Sequence, residues 1–118
     1  MRFAITRGEC MKIGIVLNTN DAETCWNCFR FGNEAIKGGH TLKIFLLGKG
    51  VEVEDVNDVK FQLLESTIKK FIHDGGRILA CGTCLTSRNK KGSKVCPIST
   101  MGEFLKLVEE SEKLLTFG

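Results

Sequence analysis

Two cysteines three residues apart stand at Cys81 and Cys84, inside the stretch Gly75-Gly76-Arg77-Ile78-Leu79-Ala80-Cys81-Gly82-Thr83-Cys84-Leu85-Thr86-Ser87-Arg88. The thiolate is the nucleophilic form of cysteine, and a partner at i+3 lies within reach of it. Gly75-Gly76 releases one element, and Ile78-Leu79-Ala80 reads as a short, fully buried strand that Cys81 ends. Gly82-Thr83 makes the turn, and Cys84 to Arg88 is long enough for a first helical turn. Unpaired backbone N–H groups and the positive end of a helix dipole favour thiolate over thiol at such a place. The pattern points to reactive-sulfur chemistry, with the Cys81 thiol expected to point along the strand axis into a cleft.

Other candidates surround this pair. Arg88, Lys90, Lys91 and Lys94 form the one dense basic run. It could stabilise a thiolate or persulfide anion or receive an acidic partner, and a solvated loop accounts for it equally well. Cys25-x-x-Cys28 is a second pair, so four thiolates could form a zinc or iron–sulfur site. The long separation between Cys28 and Cys81 is unlike a ribbon-type metal site. Cys25 also shares a helical apolar face with Trp26 and Phe29, so core packing is expected there, and no metal is expected. Cys96, before Pro97, stands in a loop that can fold back toward Cys81 as an auxiliary thiol. His40 and His73 sit near helix C-termini, as dipole partners would. There is no GxGxxG, no Ser/His/Asp set and no Tyr, and Gly48-Lys49-Gly50 is too short for a nucleotide site. No organic cofactor is expected.

The elements that must position these groups follow from periodicity. Lys12–Leu17 is a continuous apolar run and reads as a buried strand. Asp21 caps a helix whose apolar positions are Cys25, Trp26, Phe29, Gly32, Ala35 and Ile36, and Gly38-Gly39 stops it. Residues 42–47 form the second strand, followed by an acidic connector over 51–57. Asp58 then caps a helix with the stripe Phe61, Leu64, Ile68, Phe71 and Ile72. After the loop 89–96, Thr100 and Glu103 form a capping box, and the helix beyond is expected to turn Met101, Phe104, Leu105 and Val108 inward. Lys113–Phe117 closes as a strand.

Alternating buried strands and amphipathic helices predict an α/β, three-layer α/β/α sandwich on a mostly parallel sheet of four to five strands. Ligands in such folds gather at the carboxyl ends of the strands, where Asn18, Gly48, Gly82 and Thr83 would line a site around Cys81.

Composition narrows the function further. A chain of 118 residues, 42% hydrophobic and 26% charged with one proline, fits one domain, expected over 11–118. Residues 1–10 read as a ragged extension, or else as an extra edge strand over 2–6. A net charge of +3 is too mild to imply direct nucleic-acid binding. No apolar run is long enough for a membrane span. Six cysteines without a signal-peptide pattern favour catalysis or metal binding over structural disulfides, and the cytoplasm is the expected compartment.

Several segments resemble the DsrE/DsrF-like family. Ile13-Gly14-Ile15-Val16-Leu17-Asn18-Thr19-Asn20-Asp21 with Ala22-Glu23-Thr24-Cys25-Trp26-Asn27 is similar to its opening. Phe45-Leu46-Leu47-Gly48-Lys49-Gly50-Val51, Cys81-Gly82-Thr83-Cys84-Leu85 with Arg88, and Leu114-Leu115-Thr116-Phe117 continue the match in order, from Met11 to Phe117. The resemblance implies a carrier that holds sulfur as a cysteine persulfide and assembles as a trimer or hexamer. Cys81 matches the persulfide cysteine, which follows the central strand, and Arg88 falls near a basic position. Cys84 stands where sulfur-relay members have a small residue, so the chain resembles a two-cysteine branch.

The expected function is thus a sulfur carrier or sulfurtransferase. Cys81 would be the acceptor, Cys84 a second or resolving thiol and Arg88 an electrostatic aid, working between donor and acceptor proteins in a homotrimer or homohexamer. Two alternatives stay open: a dithiol/disulfide redox protein using Cys81 and Cys84, and a metal-binding protein using both CxxC pairs.

Overall fold

The structure, a computed structural model, describes residues 10–118, so the reading of 2–6 as an edge strand lies outside it. Five strands form one sheet, with every neighbouring pair parallel: β1 (Lys12–Leu17), β2 (Thr41–Leu46), β3 (Arg77–Cys81), β4 (Ile98–Ser99) and β5 (Lys113–Phe117). Their order is β4-β3-β2-β1-β5. The middle strand is therefore β2, and the cysteine-bearing β3 lies between it and a two-residue edge strand that periodicity could not reveal.

Alternation splits the sheet into two faces. Ile13, Ile15 and Leu17 of β1, with Leu42, Ile44 and Leu46 of β2, belong to one fully packed core with Phe29 and Phe71. Phe29 comes from α1 (Ala22–Lys37) and Phe71 from α2 (Leu64–His73), and their rings meet edge to face at 5.5 Å. Asp21 caps α1 by accepting the Thr24 N–H, as its position before the apolar stripe predicts. On the opposite face α4 (Met101–Glu110) stacks Phe104 on Phe45 at 4.5 Å and brings Leu107 over Gly14. Thr100 caps α4 by accepting the Glu103 N–H.

The acidic connector after β2 is 3-10 helix over Gly48–Asp55. Two expectations need correction. Asp58 caps only the short turn Val59–Phe61, and α2 starts at Leu64. In α4 the buried side chain is Leu107, whereas Met101 (56%), Leu105 (58%) and Val108 (36%) stay exposed. One helix cannot cover a whole face of a five-stranded sheet, so its flanks and Leu114 of β5 keep apolar surface outside. No helix of the described residues is long and apolar enough to cross a membrane.

Glycine makes the carboxyl edge of the sheet possible. A Cβ on Gly50 would lie 2.0 Å from the carbonyl oxygen of Leu17, at the end of β1. That oxygen also accepts the Leu47 N–H at 3.0 Å, so neither backbone can give way. Gly50→Ala is expected to destabilise the fold by about 2 kcal/mol. Equilibrium urea unfolding checks this, and a loss within about 0.5 kcal/mol, the range of an ordinary surface change, would contradict it.

Candidate functional site

The site forms where β3 ends. Cys81, the last residue of β3, caps the five-residue helix α3 (Gly82–Thr86): its sulfur accepts the Cys84 N–H at 3.4 Å. The Cys84 sulfur in turn accepts the Gly48 N–H at 3.2 Å. The two thiols thus sit together between the ends of β2 and β3. Gly48 has φ +55°, and a Cβ there would lie 2.5 Å from Asn18 Oδ1. Asn18 therefore reaches the site through Gly48.

Cys81, Gly82 and Thr83 line an open groove of about 720 Å³ with Thr86, Ser87, Ile98, Ser99, Thr100 and Met101. Its lining surface is mostly apolar, with hydroxyl-bearing Thr and Ser side chains beside exposed Ile98 and Met101. Within the single chain Cys81 is 2% exposed, so its thiol does not stand free in a cleft. Burial pushes this thiol above its ordinary value, and its hydrogen bond with the Cys84 side chain acts the same way. The Cys84 N–H pulls in the other direction, more weakly. The expected activation by a helix end is outweighed because α3 is short and β3 is covered.

Arg88 does not contact either sulfur. Its Nε donates to Glu52 at 2.7 Å, and its Nη1 donates to the Cys84 carbonyl at 3.1 Å and to Ser87 Oγ at 3.2 Å. Lys90 pairs with Asp55, and Ser93 donates to Glu54 at 2.7 Å. Part of the basic run thus meets the chain's own acidic 3-10 stretch. Glu52 was not singled out from the sequence. The signal was there, in two short runs of opposite charge near strand ends that a parallel fold brings together.

Of the other cysteines, Cys25, Cys28 and Cys96 are core and Cys10 is exposed. Cys25 and Cys28 are fully buried, and the Cys25 thiol donates to the Thr19 carbonyl at 3.4 Å. Cys96 is buried beside Glu54 and does not line the Cys81 groove. The two CxxC pairs do not converge: among the described residues no three His, Cys, Asp or Glu side chains gather to hold a metal ion. His40 Nδ1 accepts the Met11 N–H at 3.0 Å, a structural contact at the opposite edge of the sheet.

Comparison with known proteins places this geometry. The sequence profile of the DsrE/DsrF-like family matches residues 11–117. The chain belongs to this family. It is 28% identical over 100 residues to the uncharacterized protein MJ0989 of Methanocaldococcus jannaschii, covering 80% of this chain and 88% of that one. The crystal structure of the ychN protein from E. coli superposes with a TM-score of 0.79 at 20% identity, over 91% of this chain and 99% of that one. That likeness establishes the DsrE-like fold.

The buried thiols make stability depend on pH in a defined direction. Burial pushes Cys25 up to about 11, and Cys28 and Cys96 are raised as well, from an ordinary value of 9.0. Below pH 9 these thiols are protonated in both folded and unfolded chains and add no pH dependence. Above it the unfolded chain loses protons first, so stability falls as pH rises. The expected loss is about 1 kcal/mol per thiol between pH 9 and 10. Urea unfolding across this range checks it, with a shallower decline in Cys28→Ala. Stability that holds flat to pH 10 would refute it.

Proposed function

We propose that this protein is a sulfur carrier, receiving sulfane sulfur on Cys81 as a persulfide and passing it on with the help of Cys84, in the cytoplasm. The observation that carries the reading is the pair of thiols at the end of β3, bonded in series: Gly48 N–H to the Cys84 sulfur, and Cys84 N–H to the Cys81 sulfur. Family membership supports the same chemistry, since sulfur relay is common in the DsrE/DsrF-like family. The Cys81 thiolate attacks the outer sulfur of a donor persulfide, and the donor leaves as a thiolate. The backbone N–H that caps onto the Cys81 sulfur is placed to steady the product anion. Sulfur then leaves by attack of an acceptor thiol on the outer atom. It also leaves by attack of Cys84 on the Cys81 sulfur, which closes a disulfide and frees hydrosulfide.

Incubation with a persulfide donor followed by intact-mass spectrometry tests this. One added sulfur atom is expected, absent in Cys81→Ser. Cys84→Ser should load but release sulfur to small thiols about tenfold more slowly. Because the Cys81 thiol is raised, loading should accelerate by about tenfold per pH unit between about pH 7 and 9. Loading that is unchanged by either substitution would remove the sulfur-carrier reading, and loading lost only in Cys84→Ser would move the acceptor to Cys84.

We further propose that copies of this chain cover the apolar surface left by α4 and β5, giving a homotrimer or homohexamer. Ile98 and Met101, 62% and 56% exposed, form the rim of the groove at Cys81, so a neighbour seated there would also shield the persulfide from water. Light scattering at micromolar concentration should give the mass of three chains or more, and a monomer mass would contradict the assembly.

A further inference from the structure

We propose that Glu52 is a positioning residue for sulfur release, holding the Gly48 amide on the sulfur of Cys84. This inference rests on the sulfur-carrier reading and adds to it a residue and a backbone group that control one of its steps.

The geometry is a closed ring. Gly48 and Glu52 belong to the same 3-10 stretch, Gly48–Asp55. From Gly48 the ring runs through its N–H to the Cys84 sulfur at 3.2 Å. From Glu52 it runs through Arg88 Nε at 2.7 Å, and Arg88 Nη1 returns to the Cys84 carbonyl at 3.1 Å. Asn20, just beyond β1, donates to the other oxygen of Glu52 at 2.9 Å. One carboxylate therefore ties the ends of β1, β2 and β3 together. The neighbouring ties, Lys90 to Asp55 and Ser93 to Glu54, join the same two segments without touching Cys84.

The step that needs this ring is the attack of Cys84 on a loaded Cys81. A bond forms between the Cys84 and Cys81 sulfurs, and the bond from the Cys81 sulfur to the outer sulfur breaks. The outer sulfur leaves with the electron pair as hydrosulfide, and the Cys84 proton goes to water. The two cysteines are oxidised to a disulfide by two electrons, which reduce the sulfane sulfur. An external dithiol then reduces the disulfide. A backbone N–H fixed on the attacking sulfur holds it in one place, so the attack starts from a set geometry.

The test uses the full chain as wild type, Glu52→Ala, Glu52→Gln and Asp55→Ala, each loaded by a persulfide donor, desalted and followed for hydrosulfide release. Glu52→Ala should take up sulfur and release it at least about tenfold more slowly. Glu52→Gln keeps an oxygen for Arg88 and should restore release to within about threefold, since no charge on Glu52 enters the step. Asp55→Ala, which loosens the same segments away from Cys84, should release like wild type. Release unchanged in Glu52→Ala, or slowed equally in Asp55→Ala, overturns the proposal. A second arm without sulfur measures iodoacetamide alkylation of Cys84 in a Cys81→Ser background, where Glu52→Ala should again slow the reaction. If wild type takes up no sulfur while this alkylation slows, the carrier reading fails and the positioning of Cys84 stands. Alkylation unchanged or faster in Glu52→Ala overturns the positioning itself.

Discussion

The amide of Gly48 donates to a sulfur, and much of the carboxyl edge of the sheet is arranged to let it. The β1–β2 ladder continues through Leu47 N–H to the Leu17 carbonyl, and the next amide has left the ladder. Gly48 takes φ +55°, a conformation that side chains disfavour, with Asn18 Oδ1 filling the space where a Cβ would be. Gly50 then passes so close to the Leu17 carbonyl that no side chain fits. These two glycines let the chain fold tightly against β1 and deliver an N–H to Cys84. A wider loop would leave that amide to water.

Much of this was legible in the residues. The apolar runs of β1 and β3, the Asp21 and Thr100 caps and the Gly-Gly stops follow from local rules, because each records the needs of one buried element. The turn at Cys81-x-x-Cys84 was legible for the same reason. Strand order was not, since nothing local distinguishes β2 as the middle strand. The two residues of β4 carry no period at all. The outward face of α4 was misread because Met101, Leu105 and Val108 have a helical spacing that fits burial by a sheet or by a second copy equally well. Arg88 was read toward the sulfur, where a free cation would go; the nearby Glu52 carboxylate offered it a stronger partner.

Burial and activation pull against each other at Cys81. A sulfur at the end of a covered strand loses hydration, which disfavours the anion, and the backbone N–H groups of Cys84 and Thr83 recover only part of that. Each unit by which a thiol is raised costs about 1.4 kcal/mol of preference for the thiolate, a tenfold loss of reactive form. In a carrier this is a tolerable loss. Encounter with a donor is the step that needs the thiolate, whereas the held sulfur must resist every small thiol in solution. Burial slows both, and it slows unwanted release for as long as the sulfur is held.

The two sulfurs differ in what surrounds them, and this asymmetry is consistent with the roles proposed for them. Cys81 borders a groove of about 720 Å³ lined also by Thr83, Thr86, Ser87, Ser99 and Thr100. Cys84 is half-buried and held from two sides, by the Gly48 amide at its sulfur and by Arg88 at its carbonyl. Cys81 lines the groove although its own sulfur is covered within the single chain, and Cys84, the more exposed of the two, is held in a fixed place by the Gly48 amide. The opposite charges of the 48–55 and 88–93 segments make the same point from the other side. Their ion pairs hold the segment that carries the Gly48 amide, and no charged residue lines the groove at Cys81, whose surface is mostly apolar.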